Sequence, residues 1–201
     1  MKFGVPLTSL GFVVAFAMTQ QVLPLFTLAK DSKQKEAKPK IRFTAAELTG
    51  LVPTPRPEDV ASPKALVLAL HDSISGPTGP FQWDRFRSLF LPMATIGEAG
   101  SDTGEKPHIE FQPVKDWIAS VRDLRPRVSV HETVYKIRIE RFGSIATAFY
   151  SHDSVTSENG KPDIRRVNSC EMLYDGNRWW IASVVWNVSP KNWDLPQDLE
   201  P

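Results

Sequence analysis

Between Val128 and Asn187 apolar and polar residues alternate in long runs, broken by short turn-forming stretches. A period of two is the mark of strands with one face buried. The pattern predicts four long strands in two hairpins, the last strand being Asn177-Arg178-Trp179-Trp180-Ile181-Ala182-Ser183-Val184-Val185-Trp186. Asp175-Gly176 sits between two such runs and suits a two-residue turn whose central positions need positive φ. That turn places Met172 opposite Trp179 and Cys170 opposite Ile181. One face then carries Arg166, Asn168, Cys170 and Met172 with Trp179, Ile181, Ser183 and Val185. The other carries Leu173 with Trp180, Ala182, Val184 and Trp186. Both faces of the last strand are apolar, so both are expected to be covered, one by the core and the other by helices, a tail or a second subunit.

The first hairpin is expected to turn near Phe142-Gly143. A two- or four-residue loop there gathers His131, Thr133, Tyr135, Ile137 and Ile139 with Ala146, Ala148, Tyr150 and His152 on one face. Tyr135 then lies opposite Tyr150 and Thr133 opposite His152. This face grades from apolar near the turn to aromatic and polar further away, as the wall of a ligand pocket does. Glu132, Val134, Lys136, Arg138 and Glu140 form the other face, which is expected to be solvated.

Upstream the period changes to that of helices. Ser62-Pro63 reads as an N-cap followed by proline in the first turn, and Leu66, Val67, Leu70 and Ile74 make an apolar stripe. His71, beside Leu70, is read as a surface or hydrogen-bonded histidine. A second helix is expected from Trp83 to Leu91, ended by Pro92, and then a short strand at Ala94-Thr95-Ile96 leading to Glu98. Gly100 to Pro107 reads as a polar loop, and Pro113 to Leu124 as a third helix with Val114, Trp117, Ile118 and Val121 inward. Helices followed by antiparallel strands predict an α+β fold, with three helices packed on the concave face of a curved, mostly antiparallel sheet.

Composition narrows the class only a little. The 201 residues have a formal net charge of +1, which argues against a nucleic-acid partner. The single cysteine, Cys170, cannot form an intramolecular disulfide and reads as a buried thiol. Lys2 followed by the apolar run Phe3 to Ala17, with Ala15-Phe16-Ala17 as a small-x-small site, resembles a signal peptide. A second apolar run, Val22 to Ala29, leaves an uncleaved membrane anchor as the alternative. Residues 1–29 are thus expected to direct the chain to the periplasm or outside, or to tether it. Residues 30–58, rich in lysine and proline, read as a linker, 59–190 as the folded domain and 191–201 as a tail.

From about Asp59 to Pro190 the chain resembles the nuclear transport factor 2-like superfamily, which includes SnoaL-like proteins, ketosteroid isomerases and scytalone dehydratase. The resemblance rests on Phe86-Arg87-Ser88-Leu89-Phe90-Leu91-Pro92-Met93-Ala94-Thr95-Ile96, on His131, on Ala146-Thr147-Ala148-Phe149-Tyr150, and on Asp175-Gly176-Asn177-Arg178-Trp179-Trp180-Ile181. It implies a cone-shaped half-barrel with a pocket between helices and sheet, and dimers formed through the sheet, for which Trp180, Val184 and Trp186 are the expected contact. Glu98 falls where the isomerase has its general base. The isomerase's oxyanion-hole tyrosine and protonated acid fall near Leu66 and Cys170, which argues against steroid isomerisation.

Two functional readings follow. The first is an exported or tethered pocket protein that binds a small apolar molecule or a partner. The second is a cofactor-independent lyase or isomerase with Glu98, His131 and His152 as acid–base groups. In either reading Tyr135, Tyr150, Thr133, Trp83, Phe86, Trp117 and Asn168 are the expected lining. No metal or other cofactor is expected, because no short-range ligand spacing is present.

Overall fold

The computed structural model describes residues 42–100, 106, 108–123, 127, 129–156, 164–188 and 194–201. The expected leader and the first part of the linker lie outside these residues, as does most of the polar loop before Pro107. The element order is α1 (Ala45–Gly50), a 3-10 turn (Pro57–Val60), α2 (Pro63–Ser73), α3 (Trp83–Ser88), β1 (Phe90–Gly100), β2 (His108–Pro113), α4 (Val114–Arg122), β3 (His131–Phe142), β4 (Ile145–Val155), β5 (Ile164–Tyr174), β6 (Trp179–Val188) and a last 3-10 turn (Gln197–Leu199). The six strands form one sheet in the order β2-β1-β6-β5-β4-β3. Only β1 and β6 pair in parallel. This is the expected α+β architecture, a curved, unclosed sheet with helices on its inner face.

Local chemistry accounts for the helices. Thr44 and Glu47 cap α1 reciprocally, the threonine hydroxyl accepting from the Glu47 amide and the glutamate from the Thr44 amide. This helix falls within the stretch expected to be linker. Ser62 caps α2, its Oγ accepting from the Ala65 amide at 3.1 Å, and Pro63 occupies the first turn. Arg85 of α3 forks onto the buried Asp59 (2.7 and 2.9 Å) and also bonds Asp72, which fixes the 3-10 turn, α2 and α3 to one another. The second helix stops at Ser88, and Phe90-Leu91 belong to β1 rather than to the helix expected through Leu91. The edge strand β2 was not expected. Its sequence, His-Ile-Glu-Phe-Gln-Pro, alternates polar and apolar residues, but the run is short and both apolar side chains, Ile109 and Phe111, are exposed.

The core lies between the inner sheet face and α2, α3 and α4. Leu66, Val67 and Leu70 meet Phe86, Phe90, Ala148, Cys170, Met172, Ile181 and Val184. Trp117 stacks on Phe86, centroids 5.3 Å apart and planes 23° apart. Cys170 is buried and free, and burial pushes its thiol pKa well up, so it behaves as an inert apolar group.

Two β-bulges change the face assignments read from the sequence. The first hairpin has the expected two-residue loop, Phe142 pairing with Ile145 around Gly143-Ser144, with Gly143 at φ +56°. Ile137 then pairs with Tyr150, but Val134, not the residue two positions back, pairs with His152. Tyr135 and Lys136 together oppose one residue of β4. A one-residue bulge reverses every side chain beyond it. Glu132 and Val134 therefore turn to the inner face, while His131, Thr133 and Tyr135 turn outward.

In the second hairpin the loop is Asp175–Arg178, four residues rather than two, and Tyr174 pairs with Trp179. Asp175 closes it by accepting from the Asn177 and Arg178 amides at 2.8 and 2.9 Å, with Gly176 at φ +100°. A shift of two keeps the faces near the turn, but a second irregularity at Ala182 reverses the rest. Val184 and Trp186 join the inner face, paired with Cys170 and Asn168. Trp180 stays on the other side, fully buried beneath the Arg178 guanidinium and bonded through Nε1 to Asp175. The outer apolar face expected from Trp180, Val184 and Trp186 does not exist as a unit.

Candidate functional site

The inner face and the helices enclose a cavity of about 260 Å³. Most of its wall is apolar: Leu70, Phe86, Ile96, Trp117, Val184 and Trp186. Its polar end is built from His71, Glu132, His152, Ser154, Arg166 and Asn168. Strand alternation explains the grouping, since Tyr150, His152 and Ser154 share a face of β4 and Arg166 and Asn168 the adjoining face of β5. His71 comes from the last turn of α2, four residues after Val67 and three before Ile74, on the edge of the apolar stripe. The bulge supplies Glu132. Its new orientation is pinned from outside the sheet: Gly76 and Val130 exchange backbone hydrogen bonds of 2.7 and 3.0 Å, and the Glu132 amide donates to Ser75 Oγ at 2.9 Å.

These groups form a continuous network. Asn168 Nδ2 donates to Tyr150 Oη (3.1 Å), which shares a hydrogen with His71 Nε2 (2.9 Å). His71 Nδ1 meets Glu132 Oε2 at 2.5 Å, and Ser154 Oγ donates to Glu132 Oε1 at 2.9 Å. His152 packs on the His71 ring, centroids 4.3 Å apart, with Nδ1 3.8 Å from Glu132 Oε2. Neither ring nitrogen of His152 makes a hydrogen bond, although the residue is 3% exposed. Asn168 Oδ1 and Arg166 Nε are also buried without partners. Buried polar atoms left unpaired cost about 1–3 kcal/mol each, so this end of the cavity is chemically incomplete on its own.

Electrostatics set the protonation states. Burial pushes the Glu132 carboxyl up, but the hydrogen bond and positive charge of His71, the His152 ring and the Ser154 hydroxyl together outweigh it and hold its pKa at about 2. Burial and the charge of His71 lower His152 to about 3, against the opposing pull of Glu132. Burial raises Tyr150 well above the ordinary phenol value. At neutral pH the cavity therefore presents an ionised Glu132, a neutral His152 and a protonated Tyr150. The Tyr150–His71–Glu132 line is a path along which a proton can pass.

The expected site residues fall into three groups. His152, Asn168, Phe86 and Trp117 line the cavity, and Tyr150 lies beneath its polar end. Trp83 packs edge-on to Phe86 and Trp117 rather than lining the space. Glu98, His131, Thr133 and Tyr135 lie elsewhere. Glu98 accepts from Trp186 Nε1 at 2.5 Å in a small separate groove with Gln112 and Ser120. His131 and Thr133 border a shallow polar groove with Asp72 and Arg85 on the far side of the His71–Glu132 pair. Tyr135, on the outer face, donates to Asp153, which Arg165 also holds. The trio Glu98, His131 and His152 is thus not one site. His71, Glu132 and Arg166 were not expected in it. His71 carried a signal in its helical spacing, whereas nothing local marks the bulge that turns Glu132 inward.

Several solved structures are similar to the chain. An NTF2-like protein of unknown function from Shewanella baltica is 21% identical over 64% of this chain and 94% of its own, with a TM-score of 0.43. A second, from Methylobacillus flagellatus, is 16% identical over 75% and 98%, with a TM-score of 0.45. A protein of unknown function with a cystatin-like fold, from Nostoc punctiforme, is 10% identical over 75% and 97%, with a TM-score of 0.48. No protein-family model matches the chain, and no curated protein matches it in sequence. These likenesses are of overall fold at low sequence identity.

Proposed function

We propose that this domain takes a small, largely apolar molecule into its concave cavity and holds one polar group of that molecule against His152, Asn168 and Arg166. The observation that carries this is the contrast within one cavity: an aromatic and aliphatic wall ending in buried polar atoms that no protein group satisfies. A ligand with a hydrogen-bonding end would fill both needs at once. The apolar run after Lys2 and the Lys/Pro-rich stretch that follows support delivery of this domain outside the cytoplasm or its tethering to a membrane.

A second reading, proton-transfer chemistry of the lyase or isomerase kind, is favoured by one feature: the Tyr150–His71–Glu132 line ends beside the cavity. It differs from the trio expected from sequence, since His71 and Glu132 stand where Glu98 and His131 were expected.

One experiment addresses both. Full-length protein purified in detergent is titrated with an environment-sensitive apolar dye, and molecules that copurify with it are extracted and identified by mass spectrometry. Val184→Phe should fill the space, abolish dye binding and leave the circular dichroism spectrum unchanged. Dye binding unaffected by V184F would contradict the cavity as the site. If a copurified molecule exchanges hydrogen for deuterium only with protein whose Glu132 is intact, the proton-transfer reading holds. Binding without exchange leaves a carrier or sensor.

A further inference from the structure

We infer that His71, Glu132 and His152 form a binding site for one divalent first-row transition-metal ion. Their ligand atoms all lie within 4.8 Å of one another at the polar end of the cavity. Glu132 Oε2 is the hub, 2.5 Å from His71 Nδ1 and 3.8 Å from His152 Nδ1. Two imidazoles and one carboxylate suit Zn²⁺, Fe²⁺ or Co²⁺ better than Mg²⁺ or Ca²⁺, which prefer all-oxygen shells.

Two independent features support a site rather than a chance cluster. The first is His152, 3% exposed, with both ring nitrogens unpaired. An ion among the three side chains takes one of those nitrogens as a ligand and so satisfies it. The second is the outer layer. Metal-binding histidines are usually held through their other nitrogen, and binding carboxylates through their other oxygen. His71 Nε2 is held by Tyr150 Oη, itself fixed by Asn168, and Glu132 Oε1 is held by Ser154 Oγ. Three protein ligands leave at least one coordination position open toward the cavity, the arrangement of a reactive rather than a structural site.

Binding replaces the hydrogen shared by His71 Nδ1 and Glu132 Oε2, which leaves to solvent as a proton. His71 then carries its proton on Nε2 and donates it to Tyr150 Oη. Arg166, which lines the same end and bonds Ser154 at 3.3 Å, opposes a dication. Glu132 is the one carboxylate of the cluster, so the open position is expected to hold an anionic group, hydroxide or a ligand carboxylate, that restores the balance. The three ligands come from α2, β3 and β4, and His71 and Glu132 are 61 positions apart. No short ligand spacing announces such a site.

This inference shares the cavity with the proposed function but does not rest on it. Chelator-treated full-length protein in detergent is titrated with Co²⁺ and followed by visible absorption, with Zn²⁺ competition by calorimetry. The expected result is one ion per chain with the d–d bands of a low-coordinate nitrogen–oxygen site, displaced by Zn²⁺. His152→Ala should weaken binding by more than the about 10–100-fold that loss of an outer-layer partner costs, and Tyr150→Phe by about that 10–100-fold. His131→Ala, a histidine on the opposite face, should change nothing. Circular dichroism of each variant checks folding, and the wild-type titration stands without them. Absence of the bands, or bands that survive in H152A and vanish in H131A, would overturn the site. Dye binding without bands would leave the pocket reading intact while removing the metal, and bands in wild-type protein that binds no dye would do the reverse.

Discussion

His152 is a histidine whose surroundings forbid it a proton. In the unfolded chain it titrates near the ordinary histidine value of 6.5, and in the fold at about 3. Between those values the unfolded chain holds a proton that the native protein excludes, so stability falls as pH is lowered through that window. Glu132 acts lower, since its carboxylate is stabilised from the ordinary value of 4.5 down to about 2. Between pH 7.5 and 5 the histidine therefore dominates, and it should cost about 2 kcal/mol there. Urea unfolding with chelator present should show this loss in the wild type and a smaller one in His152→Asn. An equal loss in the variant would place the acid sensitivity elsewhere.

Among the elements, two bulges decide which residues meet. The expected strands β3 to β6, the tight turn at Gly143 and the capped start of α2 were all legible, because alternation, turn residues and Ser-Pro are local signals. The inner face was legible only as far as each strand stays regular. It was read correctly for Tyr150, His152 and Asn168, and inverted for Glu132, Thr133, Tyr135, Val184 and Trp186. Nothing in Tyr135-Lys136 or Ala182 announces an extra residue. The bulge in β3 is imposed from a distance, by the Gly76–Val130 bridge and the Ser75–Glu132 bond that hold the far end of the strand. Removing the extra residue should then be tolerated. Deletion of Lys136 leaves Val134 opposite His152 in a regular ladder, so dye binding should persist with a modest drop in melting temperature. Loss of the cavity on this deletion would show that the bulge does more than take up one residue.

For the molecule as a whole, the two sheet faces have different coverings. The inner face closes with α2, α3 and α4 around the cavity. Part of the outer face is covered by the chain's own C-terminal segment: Leu199 is fully buried, Ser151 Oγ donates to its carbonyl at 2.5 Å, and Asp198 pairs with Arg138. That covering was one of the alternatives expected from the apolar second face, though it lies over β3 and β4 rather than over the last strand. A pocket of one apolar wall and one polar end takes its meaning from the site and not from the architecture.

The cluster itself can be tested most directly by nitrogen-15 NMR of the histidine rings across pH, on chelator-treated protein. Two of the four histidines, His71 and His152, should lie in the network, and His152 should stay neutral down to about pH 3. In Glu132→Gln both ring signals should move, because the shared carboxylate is gone, while His131 should not. If instead His152 titrates near 6.5, or Glu132→Gln leaves both rings unchanged, Glu132 does not face His71 and His152, and the site assembled around that carboxylate is wrong.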